Sequence, residues 1–188
     1  MSDNPGVQLM KLDKLFGSKT KADILKYLVF RRQGISLRAF ESELSRSFPA
    51  IKKQIDSLED AGVIEINKDN NKWSIYLTHG VGEHIKELFL YTLQIDLKKY
   101  FGEHESMIEQ FFWGKLFGKE IDMDLVLIFT PDAQMHLDKI KSDITDIFRT
   151  YLIELVNVAF MSSSDFEKRY RLADKFVLKL MRVNKRTG

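Results

Sequence analysis

The stretch SFPAIKKQIDSLEDAGVI, residues 47–64, decides how the first half of the chain folds. Ser47 is a residue type that caps helices, and Pro49 sits in the first turn, where a missing N–H costs nothing. Ile51, Ile55 and Leu58 recur at helical spacing and define a buried stripe. Lys52, Lys53, Gln54, Asp56 and Ser57 therefore lie on the other faces. Gly62 is a natural residue to follow a helix end, and Val63-Ile64 opens a strand. A helix from Ser47 to Ala61 running straight into a strand is the expectation.

Upstream, Ser18 caps a helix over 19–30 in which Ile24, Leu25 and Leu28 face one way and Lys21 and Lys26 another. Gly34 ends it. Ile35 gives a very short strand, and Ser36 caps a second helix, Leu37 to Leu44, with Leu37, Phe40 and Leu44 inward. Ser45-Arg46-Ser47 is a tight turn into the quoted helix. Downstream, Val63-Ile64-Glu65-Ile66 and Trp73-Ser74-Ile75-Tyr76-Leu77 are strand-like runs. Asn67 to Lys72 between them predicts a hairpin with a long, charged tip. Residues 1–9 read as a disordered lead-in.

Beyond Thr78 to Gly82, where glycines interrupt the pattern, a long amphipathic helix is expected from about Gly82 to Tyr100. Strands follow over Ile108 to Trp113 and Leu125 to Phe129, and then a helix from Pro131 through Tyr151. A strand over Leu155 to Phe160 comes next. A last helix, capped within Ser162 to Asp165, is expected to run through Met181 and to end in a frayed basic tail, Arg182 to Gly188. The class is α+β, with the order αββαβα after residue 82. The expected divisions are a three-helix-and-hairpin domain over 10–80, a linking or dimerisation helix over 81–105, and a small α/β domain over 106–188.

Bulk numbers narrow the function. The 188 residues are 44% hydrophobic and carry a net charge of only +2. Residues 1–80 hold 13 Lys+Arg against 10 Asp+Glu, and residues 81–188 hold 16 against 17, so the basic excess is N-terminal. With no cysteine there is no disulfide framework, thiolate metal site or thiol nucleophile. The first residues lack a basic segment followed by an apolar one, and no run is long enough to span a bilayer, so a cytoplasmic protein with no membrane partner is expected. No cofactor and no metal are expected. His79, His84, His104 and His136 read as surface histidines, and Phe111, Phe112, Trp113 and Phe117 as core aromatics.

Residues 16–79 resemble the ArsR-type winged helix-turn-helix of many archaeal and bacterial regulators. Ile24 to Leu28, Leu37 to Leu44 and above all Ile51 to Ile64 carry the likeness, without the metal-sensing Cys and His set of some members. The resemblance implies a transcriptional regulator that reads double-stranded DNA. On that expectation Lys52, Lys53, Gln54 and Ser57 face phosphates and base edges. Arg46 and Ser47 lie where a phosphate docks at the helix start, and Lys68 and Lys72 on the hairpin reach adjacent backbone. A homodimer is expected, because Ile85, Leu88, Phe89, Leu93 and Leu97 make the long helix apolar over more than one neighbour needs.

Residues 107–181 resemble a minimal nucleotidyltransferase domain. Phe111 to Gly118 stands where that family has its Gly-Ser turn, and Asp122-Met123-Asp124 where it has Asp-x-Asp. In the family the two carboxylates hold Mg²⁺ and the turn approaches phosphates. Here Lys115 replaces the serine, the turn to Asp122 is short, and Asn157 stands near where a third carboxylate belongs. Gly114, Lys115, Asp122 and Asp124 are accordingly expected to be the vestige of a nucleotide and metal site. The reading is not an enzyme, with a C-terminal domain for dimerisation or sensing. The alternatives are a nucleotidyltransferase whose winged helix positions its substrate, and a non-enzymatic assembly factor.

Overall fold

A computed structural model describes residues 11–69 and 72–184. The lead-in over 1–9, the hairpin tip Asn70-Asn71, the side chain of Lys72 and the tail after Asn184 lie outside the described residues. The chain divides into two compact units, Met1–Asp96 with Ile147–Ile153, and Leu97–Asp146 with Glu154–Gly188.

In the first unit, α1 (Leu12–Leu15), α2 (Lys19–Phe30), α3 (Leu37–Leu44) and α4 (Phe48–Asp60) precede β1 (Ile64–Asp69) and β2 (Lys72–Leu77). Ser18 and Ser36 cap α2 and α3 through their hydroxyls, which accept from the N–H groups of Lys21 and Ala39. Ser47 precedes α4 without a side-chain cap; Glu41 of α3 accepts from the Phe48 N–H instead, at 3.2 Å. That cap is a tertiary contact, which local sequence does not encode. The core is Ile24, Leu25, Leu28, Phe40, Ile51, Ile55 and Leu58, all nearly inaccessible. Ile35 bridges Ile75, giving a third, one-residue strand beside the hairpin. The hairpin ladder runs further than expected, to the pairs Lys68–Trp73 and Asp69–Lys72, so the tip is short rather than long. Cross-strand pairing of Lys68 with the Trp73 ring, its ammonium 4.6 Å from the centroid, favours the extended ladder. A helix (α2), a one-residue strand at Ile35, two further helices (α3 and α4) and a hairpin, in this order, make a winged helix-turn-helix arrangement.

The long helix α5 (Val81–Glu103) contributes residues to both units. Its Phe89, Leu93 and Leu97 are buried, whereas Leu88 and Tyr91 are exposed. In the second unit, β3 (Ile108–Trp113), β4 (Leu125–Phe129) and β5 (Val158–Ser162) form a sheet in that spatial order. β3 and β4 are antiparallel, and β4 and β5 parallel. A short 3-10 segment, Pro131–His136, leads into α6 (Leu137–Thr150), which supplies the crossover that a parallel pair requires. Every β4 residue is buried, as a central strand covered on both faces should be. Val126, Ile128, Phe112 and Met161 pack with Phe166, Val177 and Leu180 on one side.

Two expectations in this half are corrected. The strand after α6 is Val158–Ser162 rather than Leu155 to Phe160, because Leu152 turns the chain in a left-handed conformation and Leu155 stands in solvent. The last helix is two, α7 (Ser163–Arg171) and α8 (Lys175–Asn184). Ala173 is left-handed, and Asp174 restarts the helix by accepting from the N–H groups of Phe176 and Val177. Arg182 belongs to α8 and not to a frayed tail.

Candidate nucleic-acid interface

α4 buries Ile51, Ile55 and Leu58 and turns Lys52 and Lys53 outward. Lys53 has no ion pair among the described residues. Lys52 meets Asp56 at 2.7 Å, an exposed i,i+4 pair. Such pairs contribute little and are readily exchanged for a phosphate. Gln54 is half-buried. Ser57 is also half-buried, and its hydroxyl accepts from the Lys21 ammonium at 2.9 Å. Arg46 turns inward: it lies 3.7 Å from Asp23, and its buried Nε has no partner. Ser47 and Lys68 are exposed. The structure therefore keeps Lys52, Lys53, Ser47 and Lys68 on the surface and engages Ser57 and Arg46 internally. Further along α4 the outward residues are Asp56, Glu59 and Asp60. The positive end of α4 is thus its N-terminal half, the part that meets base edges when a helix of this kind enters a major groove.

A second surface was not foreseen. A groove of about 770 Å³ runs between the start of α3, the start of α4 and β2, lined by Arg32, Arg38, Phe48, Lys52, Trp73 and Ser74 among others. Phe48, three residues before Ile51, falls on the same helical stripe as Ile51, Ile55 and Leu58, but as the first residue of α4 it stays 36% exposed. Trp73 shares strand parity with Ile75 and Leu77, which suggests a core position. It lies nearer the hairpin tip, however, and remains 40% exposed.

Gly114, Lys115, Asp122 and Asp124 have other work. Asp122 and Asp124 lie in a bend before β4, not on it, so the alternation that would align two carboxylates does not apply. Asp124 accepts from the Leu116 N–H at 3.1 Å and from the Asn157 N–H at 2.9 Å, one bond to each carboxylate oxygen. The N–H groups of Gly114 and Lys115 donate to the carbonyls of Asp124 and Met123. Gly114 is needed because a Cβ there would strike the Met123 carbonyl, lying 2.7 Å from its carbon. Lys115 pairs with neither carboxylate among the described residues. Instead, backbone N–H groups balance Asp124. No three His, Asp or Glu side chains among the described residues gather as a metal site. These residues do not fit a two-metal centre, and no chemistry is derived from one.

The first unit also holds a buried polar cluster. The Tyr151 hydroxyl donates to Asp96 at 2.6 Å, and Asp96 is only 2% exposed. Burial, then the bond to Asp96, pushes the Tyr151 phenol well above its usual range. Lys26 donates to the Thr150 carbonyl, and its burial pulls its ammonium below the ordinary value. In the second unit Tyr100 donates to Asp143, and burial again raises the phenol, helped by that carboxylate. No described helix is long and apolar enough to cross a membrane.

No protein-family model matches the chain, and no curated protein matches it. Among solved structures it is similar to MepR, a transcription regulator of the Staphylococcus aureus multidrug efflux pump MepA. That likeness is at 13% identity over 74% of this chain and 83% of that one, with a TM-score of 0.45. It is similar to the transcriptional repressor BigR from Xylella fastidiosa at 17% identity over 43% of this chain and 78% of that one, TM-score 0.37. ZitR from Lactococcus lactis, as a variant, is similar at 21% identity over 79% of each, TM-score 0.39. Likenesses this distant carry no argument about what the chain does, which rests on its own geometry.

Proposed function

We propose that this chain is a DNA-binding transcriptional regulator that contacts double-stranded DNA through α4 and the hairpin. One observation carries the reading: α4 is fixed by a buried face while its opposite face presents Lys52 and Lys53 at the N-terminal half, free of any structural duty beyond one exposed ion pair. Lys68 adds a cation on the hairpin, and Ser47 a hydroxyl at the helix start. Lys72 is included as a second cation of the hairpin on the strength of the sequence alone. Gln54, Ser57 and Arg46 have a lesser share, since each is half-buried and the last two have partners within the chain.

The protein acts as a homodimer on this reading, two copies matching two half-sites. Leu88 and Tyr91 on α5, with Ile85 and Ile95 beside them at helical spacing, form the apolar stripe that a second copy covers. The second unit has no catalytic role, because the oxygens of Asp124 are engaged by backbone N–H groups. A role on DNA places the chain in the compartment that holds DNA.

Gel retardation of a mixed-sequence duplex tests the reading. The wild type should shift the duplex, and Lys52→Ala with Lys53→Ala should weaken binding tenfold or more while the helical circular dichroism is unchanged. Equal retardation by both proteins would remove α4 from the interface.

A further inference from the structure

The groove beside α4 differs in chemistry from the α4 face itself. Three cations line it, Arg32, Arg38 and Lys52, and no carboxylate does. Arg32 and Arg38 have no ion pair among the described residues. The neighbouring hollow on α4, by contrast, is lined by Lys52 and Lys53 but also by Asp56 and Asp60. Two large rings stand open in the groove, Phe48 at 36% and Trp73 at 40% exposure. Its floor is preformed. The Gly34 N–H donates to the Ile75 carbonyl at 2.8 Å, the Ile75 N–H donates to the Ile35 carbonyl at 3.0 Å, and both isoleucines are buried. The Lys68 ammonium lies against the Trp73 ring and fixes the indole from the adjacent strand.

Exposed rings beside two guanidinium groups without an ion pair among the described residues, with no carboxylate in the lining, are what a flat π-face attached to a phosphate chain requires. The rings stack on the base and the guanidinium groups meet the backbone. We infer that this groove binds an unpaired nucleic-acid base with its flanking phosphates, so that the chain prefers DNA carrying an unpaired end or bubble over a fully paired duplex. The inference rests on the DNA-binding reading above and names a substrate feature it did not include. An acidic peptide would also be drawn by the charge, but it offers no flat face to Phe48 and Trp73.

Fluorescence anisotropy with three dye-labelled probes tests this. They are a blunt duplex, the same duplex with a short unpaired 3′ extension, and a Glu-rich peptide. The extension should tighten binding by about tenfold, as one stacked base is worth. Trp73→Ala or Arg38→Ala should bring the ratio between the two DNAs to one, and Trp73→Phe should keep most of it. The chain has two tryptophans, so Trp113→Phe leaves Trp73 as the reporter; the extension should quench its emission and the blunt duplex should not. Equal affinity for both DNAs without quenching would overturn the inference and leave the α4 reading standing. Binding of the extended DNA alone would support the groove and remove α4. Tighter binding of the peptide than of the extended DNA, lost in Trp73→Ala, would overturn the inference in favour of a protein partner. Binding of no probe would end both proposals.

Discussion

At the scale of single residues, the same side chain reads differently once its neighbours are known. Asp124 belongs to an Asp-x-Asp pair in the sequence, yet its oxygens tie the Leu116 turn to Asn157. Asp124→Ala should therefore lower stability by about 1 kcal/mol, since two N–H groups, one part-buried and one exposed, lose a charged acceptor. Asp122→Ala, at an exposed position, should leave the unfolding midpoint unchanged. Urea titration of the two variants separates them, and incubation with labelled nucleoside triphosphates should give no transfer with either or with the wild type. Gly114 gives a sharper case. Gly114→Ala forces a Cβ into the Met123 carbonyl and should cost about 3 kcal/mol or more, read in the same titration.

Tyr151 allows a prediction with a pH sign. Its phenol is raised in the folded chain above the ordinary value of 10.0 by burial and by the bond to Asp96. An acid whose folded value is raised keeps its proton longer when folded than when unfolded. Its contribution is complete below pH 10 and is lost as pH rises from there through the folded value. Thermal midpoints of the wild type should fall above pH 10, and Tyr100, raised in the same direction, adds to the slope. Tyr151→Phe should lower the midpoint at neutral pH, because Asp96 loses a donor in a buried site, and should flatten the alkaline slope. A slope identical in both proteins would contradict the assignment.

At the scale of elements, α8 depends on a cap that the sequence pattern did not mark. Asp174 satisfies two N–H groups at its start, so Asp174→Ala should cost about 1 kcal/mol, with the change measurable by chemical denaturation. The α7–α8 break was missed because Leu172-Ala173-Asp174 contains neither Gly nor Pro, and the left-handed residue there is Ala173. By contrast α2, α3 and α4 were legible almost to the residue. Ser18, Ser36 and Pro49 punctuate them, and their apolar residues keep one period throughout. The expected strand over Leu155 to Phe160 begins three residues before β5, since Leu155 and Val156 look like strand residues and nothing local reveals that β5 must start beside Leu125 of β4. The interface divides in the same way. Lys52 and Lys53 follow from a helical stripe. The groove of Arg32, Arg38, Phe48 and Trp73 joins residues from four separate segments, and only folding brings them together.

At the scale of the whole molecule, the account concerns assembly on DNA. The exposed Leu88 and Tyr91 predict a dimer by sedimentation velocity at micromolar concentration, and Leu88→Glu with Tyr91→Glu predicts a monomer of unchanged helix content. A wild-type monomer at tens of micromolar would count against the two-fold arrangement. The most direct test of the central claim is the salt dependence of duplex binding. Each phosphate neutralised releases counterion and steepens the slope of log K against log salt by about 0.9. Lys52, Lys53 and Lys68 alone predict a slope of about −3 per protomer, reduced by about 2 in Lys52→Ala with Lys53→Ala. A slope near zero, or one that the double variant leaves unchanged, would contradict the claim that α4 and the hairpin hold DNA.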